Sequence, residues 1–205
     1  MKLLLTGFEP FGQEEINPSW EAVAAMPDSL ETVEVVKVRL PVTFKRAAVM
    51  LEQAIDEFRP DLVLCIGQGG GRFEVNIERV AINLADSTKP DNDGYQPEEA
   101  PVRVDAPDAY FSNLPVKRLV KAVREAGIPA VVSNSAGAYV CNSVFYTALH
   151  LAHSKYPDMK AGFIHIPYLP CQAVEKTKQP TMAKETVVKA LETVINTISV
   201  ENQIV

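Results

Sequence analysis

The chain has 205 residues, 47% of them hydrophobic and 22% charged, with a formal net charge of −6. That length supports one sizeable core, and an acidic balance without any run of Lys or Arg argues against a nucleic-acid surface, which needs a basic patch. No apolar run approaches the roughly 20 residues that cross a bilayer, and the short run Leu3-Leu-Leu5 is cut off by Gly7 without the length or cleavage site of a secretory leader.

Along the chain, short apolar runs alternate with helical patterns, as expected of α/β architecture with a mostly parallel sheet. Residues 3–6 read as a buried strand ended by Gly7. Residues 32–40 alternate Val33 and Val35, then shift phase to Val36, Val38 and Leu40, which reads as a strand with a bulge. Phe44, Ala47, Ala48, Leu51, Ala54, Ile55 and Phe58 fall at three- and four-residue steps, predicting an amphipathic helix over 43–58 that Pro60 stops. Residues 61–67 form a buried strand feeding the loop Gly67-Gln-Gly-Gly-Gly-Arg72, and 74–84 read as extended.

A helix over 115–126 stopped by Gly127, a strand over 128–133, a helix over 142–156 and a strand over 161–166 follow. The closing helix is placed at 180–199, starting around Thr181. Residues 90–115, rich in Pro, Asp, Asn and Glu and lacking periodicity, read as a long loop, which in a compact domain is usually functional or disordered. With no repeat and no linker, a single domain over 1–205 is expected.

Cys141 is the leading candidate for chemistry. It follows the glycine-containing Ser135-Ala-Gly-Ala-Tyr-Val140 and meets what reads as the first turn of a helix, whose N–H groups favour thiolate over thiol. A buried, inert helix-start cysteine is the alternative. Cys65 lies inside a core strand, and Cys171 follows Pro170 in a loop with no activating neighbour. Three widely spaced cysteines make no disulfide framework, so a reducing cytoplasm is the expected setting.

His165, in Gly162-Phe-Ile-His-Ile-Pro167, stands near the C-terminal edge of its strand, the edge where open α/β sheets bind ligands. It reads as a base for Cys141 or as a core histidine bonded to backbone. Glu78 shares strand parity with Val80, Ile82 and Leu84, so its carboxylate needs a partner, either a histidine N–H or a basic neighbour such as Arg72 or Arg79. His150 and His153 are three apart on one helix face but have no third ligand nearby, so no metal site is expected. The glycine loops 7–12 and 67–72 fit no nucleotide motif, since Arg72 stands where G-x-G-x-x-G needs glycine. Phe8 and Phe11 could face a flat ring or pack in the core.

Several segments together resemble the pyroglutamyl peptidases of type I over nearly the whole chain. These are Thr6-Gly-Phe-Glu-Pro-Phe-Gly12, Asn17-Pro-Ser-Trp20, Gly70-Gly-Arg72 with Glu78-Arg-Val-Ala-Ile-Asn83, Pro90-Asp-Asn-Asp-Gly94, Ser135-Ala-Gly-Ala-Tyr-Val-Cys-Asn142 and Phe163-Ile-His-Ile-Pro167. The resemblance implies a single-domain three-layer α/β/α sandwich around a twisted, mostly parallel mixed sheet. It implies a cysteine peptidase that removes N-terminal 5-oxoproline (pyroglutamate) from small peptides, with Cys141 as nucleophile, His165 as base and Glu78 as the orienting carboxylate. Phe8, Phe11, Gln68, Tyr139 and Val140 match residues around the family's lactam slot. It further implies no cofactor or metal, no membrane or nucleic-acid partner, a cytosolic setting and a homotetramer. One departure stands out: where many members have Arg-Ile before Pro-Asp-Asn, this chain has Thr88-Lys89, which raises the alternative of a lactam-binding homologue with weak turnover.

Overall fold

Two separate apolar clusters, one on each side of a seven-stranded sheet, organise the molecule. The computed structural model describes residues 1–202, so 203–205 of the expected domain lie outside the described residues. In chain order the elements are β1 (Lys2–Phe8), α1 (Pro18–Ala25), β2 (Ser29–Leu30), β3 (Val33–Leu40), α2 (Phe44–Phe58), β4 (Leu62–Gln68), β5 (Val75–Glu78), β6 (Val80–Ile82) and β7 (Ala109–Phe111). They continue with α3 (Val116–Glu125), β8 (Ala130–Ser133), α4 (Val140–Ser154), β9 (Lys160–Ile166) and α5 (Lys184–Asn202).

The sheet order is β2-β3-β1-β4-β9-β5-β8. Strands β3, β1, β4 and β9 run parallel, whereas β5 and β8 run parallel to each other and against β9. Leu3, Leu5, Leu62, Leu64, Ile164 and Ile166 face α1, α3 and α5. Leu4, Val63, Cys65 and Phe163 face α2 and α4. This is the three-layer α/β/α sandwich with a mixed, mostly parallel sheet.

The inner position of β3 explains its valines without a bulge. Its register with β1 is continuous from Lys2↔Glu34 to Phe8↔Leu40. Val33 and Val35 belong to one cluster, while Leu40 belongs to the other, with Val36 and Val38 packed against it. A strand covered on both sides has apolar residues in both phases. Strand 74–84 is likewise not one unit: it breaks at Arg79, whose N–H bonds Ser133 O at 2.8 Å, and β6 leaves to pair with β7 in a separate two-stranded sheet. The aperiodic stretch 90–115 is built into the fold: Asp91, itself buried, accepts the Phe44 N–H at the start of α2 (2.9 Å), and β7 lies inside it. Helix α5 starts later than expected, because Thr181 is bridged to Tyr168.

Gly7 continues β1 rather than ending it. A Cβ there would fall 2.8 Å from both the Cα and the N of Trp20, so glycine is what lets α1 lie against the strand. That helix, read in the sequence only as the run Asn17-Pro-Ser-Trp20, starts at Asn17, whose side-chain oxygen accepts the Ser19 N–H at 3.1 Å. Gly7→Ala must displace backbone rather than a flexible side chain. A stability loss of about 1–3 kcal/mol is expected, measured as a lower urea midpoint at unchanged slope.

Candidate active site

His165 is the penultimate residue of β9, and its register partner on β4 is Gly67. On its other side β5 runs in the opposite direction, with Asn76 opposite His165 and Ile77 opposite Ile164. Glu78, the last residue of β5, therefore lies two residues inward from the rim and on the same face as the imidazole. It is fully buried, and its Oε1 accepts from His165 Nδ1 at 2.8 Å. An ionised carboxylate only accepts, so this bond puts the proton on Nδ1 and leaves Nε2 as the ring's acceptor.

The same Oε1 accepts from Arg72 Nη1 at 3.2 Å, so both sequence readings of Glu78, imidazole partner and ion pair, hold at once. Arg72 is tied in turn to Ser133 Oγ and Ser135 O, each at 3.4 Å. Arg79 points elsewhere, to Asn134 Oδ1 at 2.9 Å.

Cys141 is the second residue of α4. The strand before it, β8, runs against β9 and ends level with Glu78 (Glu78↔Ser133). The segment 134–139 carries the chain back, with Gly137 at φ 77°. The sulfur then sits 3.0 Å from where a Cβ on Gly67, the register partner of His165, would stand, in space shared with the Phe163 ring. The first backbone bond into α4 comes from Ser143 N–H to Tyr139 O at 3.2 Å, so the Cys141 N–H is among the helix-start donors without an intrahelical partner.

The helix-start N–H groups that favour thiolate at Cys141 are opposed by its surroundings. Burial pushes its thiol up to about 12, with the Glu78 carboxylate and Cys65 adding to the rise. Its own backbone N–H and Arg72 pull down but do not offset them. The balance of these influences favours thiol over thiolate.

Cys141 and His165 open onto one cavity of about 260 Å³. Phe8, Phe11, Gln68, Tyr139 and Val140, all assigned to the slot by resemblance, line it. Asn17, Val42, Gly69, Gly70, Arg72, Ala136 and Gly137 line it as well. Of these seven, all but Val42 stand in the motifs quoted from the sequence, which gave none of them a place in the slot. The Phe11 and Tyr139 rings stand 6.4 Å apart, and Tyr139 packs edge-on against Phe44 at 5.2 Å.

Other candidates fall outside the cavity. Cys65 is buried in the core and Cys171 is exposed. His150 bonds Tyr110 Oη at 3.1 Å, His153 bonds Leu149 O at 2.8 Å, and no cluster of three or more His, Cys, Asp or Glu that could hold a metal occurs among the described residues. Thr88 and Lys89 are exposed and do not line the cavity; Ser87 Oγ folds back onto Lys89 N and O at 3.1 and 2.7 Å.

The family model described as pyroglutamyl peptidase matches residues 1–201. The chain belongs to the pyroglutamyl peptidase family. It is 56% identical over 197 residues to the pyrrolidone-carboxylate peptidase of Thermococcus onnurineus, covering 96% of this chain and 98% of that protein. Among solved structures, pyroglutamyl peptidase I of Bacillus amyloliquefaciens superposes with a TM-score of 0.91 at 41% identity, covering 94% of each chain. The pyrrolidone carboxyl peptidase of Pyrococcus furiosus superposes with a TM-score of 0.94 at 41% identity, covering 98% of this chain and 99% of that one. Thr88 and Lys89 stand outside the cavity lining, and the alternative of a lactam-binding homologue with weak turnover is not favoured.

A raised thiol fixes the direction of one measurement. Because thiolate is the form that alkylates, the iodoacetamide rate at Cys141 in the free protein should keep climbing above pH 9, where an unperturbed cysteine, with its ordinary value near 8.5, levels off. Glu78→Gln removes a charge that raises the thiol, so it should move this profile to lower pH. A plateau near pH 7 in the unsubstituted protein would contradict the raised thiol.

Proposed function

We propose that this chain hydrolyses the bond after an N-terminal 5-oxoprolyl residue of small peptides through a thioester on Cys141. The observation that carries the reading is the His165–Glu78 bond of 2.8 Å beside a cavity that Cys141 and His165 both line. Cys141 Sγ bonds to the carbonyl carbon of the 5-oxoprolyl residue while its proton passes to His165 Nε2, so a thiol at rest becomes a nucleophile only as attack begins. The oxyanion accepts from the Cys141 N–H at the start of α4, which has no intrahelical partner. The C–N bond then breaks, and the leaving amine takes the proton from His165.

Water next attacks the thioester with His165 as base. The C–S bond breaks, and the sulfur recovers a proton as free 5-oxoproline leaves. Throughout, Glu78 holds the Nδ1–H tautomer and stabilises the imidazolium. An uncharged ring suits a slot walled by Phe8, Phe11, Val42 and Val140, whereas an N-terminal ammonium would enter at a desolvation cost with no carboxylate among the described lining residues to pair it. We further propose that the enzyme works in reducing cytoplasm, where its three thiols stay free, and assembles as a homotetramer, as the family resemblance implies.

The test is release of a fluorogenic amine from a pyroglutamyl amide. Turnover should be abolished by iodoacetamide and untouched by EDTA, and Cys141→Ser should lower kcat by at least ~10⁴-fold. Cys65→Ser and Cys171→Ser should keep it. Full turnover by Cys141→Ser would end the assignment. Glu78→Gln should lower kcat by roughly 10²-fold or more with little change in KM, the mark of a group whose contribution grows in the transition state.

A further inference from the structure

The orientation of one side-chain amide in the cavity is fixed from outside it. Gln172, on the short 3₁₀ turn 170–173, makes four bonds. Its Oε1 accepts the Leu169 N–H at 3.0 Å, which can only be a donor. Its Nε2 therefore faces acceptors, and it does: Glu14 Oε2 at 3.2 Å and Ile16 O at 3.5 Å. The remaining contact, Gln172 Nε2 to Gln68 at 3.1 Å, must then end on the Gln68 oxygen. That leaves the Gln68 Nε2, with its two N–H donors, as the polar end this residue offers to the cavity it lines.

Glu14 is anchored as well, through an ion pair with Lys176. Lys176 stands 4.6 Å from the centre of the Tyr168 ring, and the segment carrying both Gln172 and Lys176 is closed at its base by the Tyr168↔Thr181 bridge and the Met182 N–H to Tyr168 O bond of 2.9 Å. The chain from Glu14 through Gln172 to Gln68 thus runs between two backbone segments that are each tied down.

We infer that Gln172 is a specificity-positioning residue: by donating to the Gln68 oxygen it turns the Gln68 N–H donors toward the slot, where they read the ring carbonyl of a 5-oxoprolyl group. The inference rests on the pyroglutamyl reading of the site. An amide free to flip would present oxygen to that carbonyl about as readily as N–H, and a buried acceptor facing an acceptor is repulsive. Gln172 touches no reacting atom; it acts only through Gln68.

The experiment is steady-state kinetics on a pyroglutamyl amide, together with competitive inhibition by 2-pyrrolidone, which carries the ring carbonyl and no scissile bond. Gln172→Met keeps length and removes the donor; Gln172→Glu keeps shape and, as carboxylate, only accepts. Each should raise KM and the 2-pyrrolidone inhibition constant about tenfold with kcat within about threefold, the loss of one hydrogen bond on binding. On a Gln68→Ala background either substitution should add nothing further.

If Gln172 merely braces its loop, kcat falls, or the Gln172 and Gln68 effects multiply, and the inference is overturned. An inhibition constant that stays put while KM rises overturns it too, since the effect would then lie away from the ring. Failure of the unsubstituted protein to cleave the amide would instead sink the proposed function, which separates the two.

Discussion

A carboxylate withdrawn wholly from solvent has to be met by donors, and Glu78 is the constraint on which the site is built. Leaving such a group unpaired costs several kcal/mol, and its Oε1 is held by two donors, His165 Nδ1 and Arg72 Nη1. The reversed direction of β5 makes this burial possible. A parallel strand ending beside β9 would deliver its last residue to the open rim, next to water. Running against β9, β5 ends instead two residues inward, so the carboxylate lies behind the imidazole and Nε2 is left for the cavity. One change in strand direction thus separates the orienting group from the reacting one.

The thiol reaches the same place by a different device. β4 and β9 are in register, so anything beyond a hydrogen at position 67 would occupy the flank of His165. Gly67 keeps that flank open, and the sulfur of Cys141 fills it, with Phe163 closing the other side of the space. The helix that carries the cysteine is buried along much of its length against α2 and the sheet, so the sulfur is placed by the packing of a whole layer rather than by a loop. Sites on packed elements hold geometry better than sites on loops.

Much of this was legible in the sequence, and what was not has physical reasons. Runs such as Leu62–Ile66 and the stepped apolar residues of 43–58 announce their elements because each buries a continuous face. Cys141, His165 and Glu78 were named from position and chemistry, and the cavity lining by resemblance; the structure brings all eight residues to one region. Strand direction was not readable. Nothing in the residues 74–78 distinguishes parallel from antiparallel pairing, so the reversed direction of β5 and β8 shows only in the fold. Gly7 looked like a stop because a glycine after an apolar run usually is one; the approach of Trp20 that requires it comes from a helix eleven residues further on. Asn17 and Arg72 were visible as motif letters, but their place on the cavity depends on contacts between segments far apart in the chain.

The protonated thiol and the preference for an uncharged ring have one cause. Burial raises the Cys141 thiol, and the Glu78 carboxylate adds to the rise. A slot with apolar walls is costly for an ammonium and cheap for a lactam, so selectivity at the ring and restraint at the sulfur come together. The cost is that thiolate must be generated during attack rather than stored beforehand. The structure meets it with an imidazole whose far nitrogen is already bound to a buried carboxylate, so the charge created on proton transfer finds its counterion in place. Widening the slot or admitting water would lower the thiol and favour a resting thiolate, yet it would also admit the charged amines that the dry walls keep out.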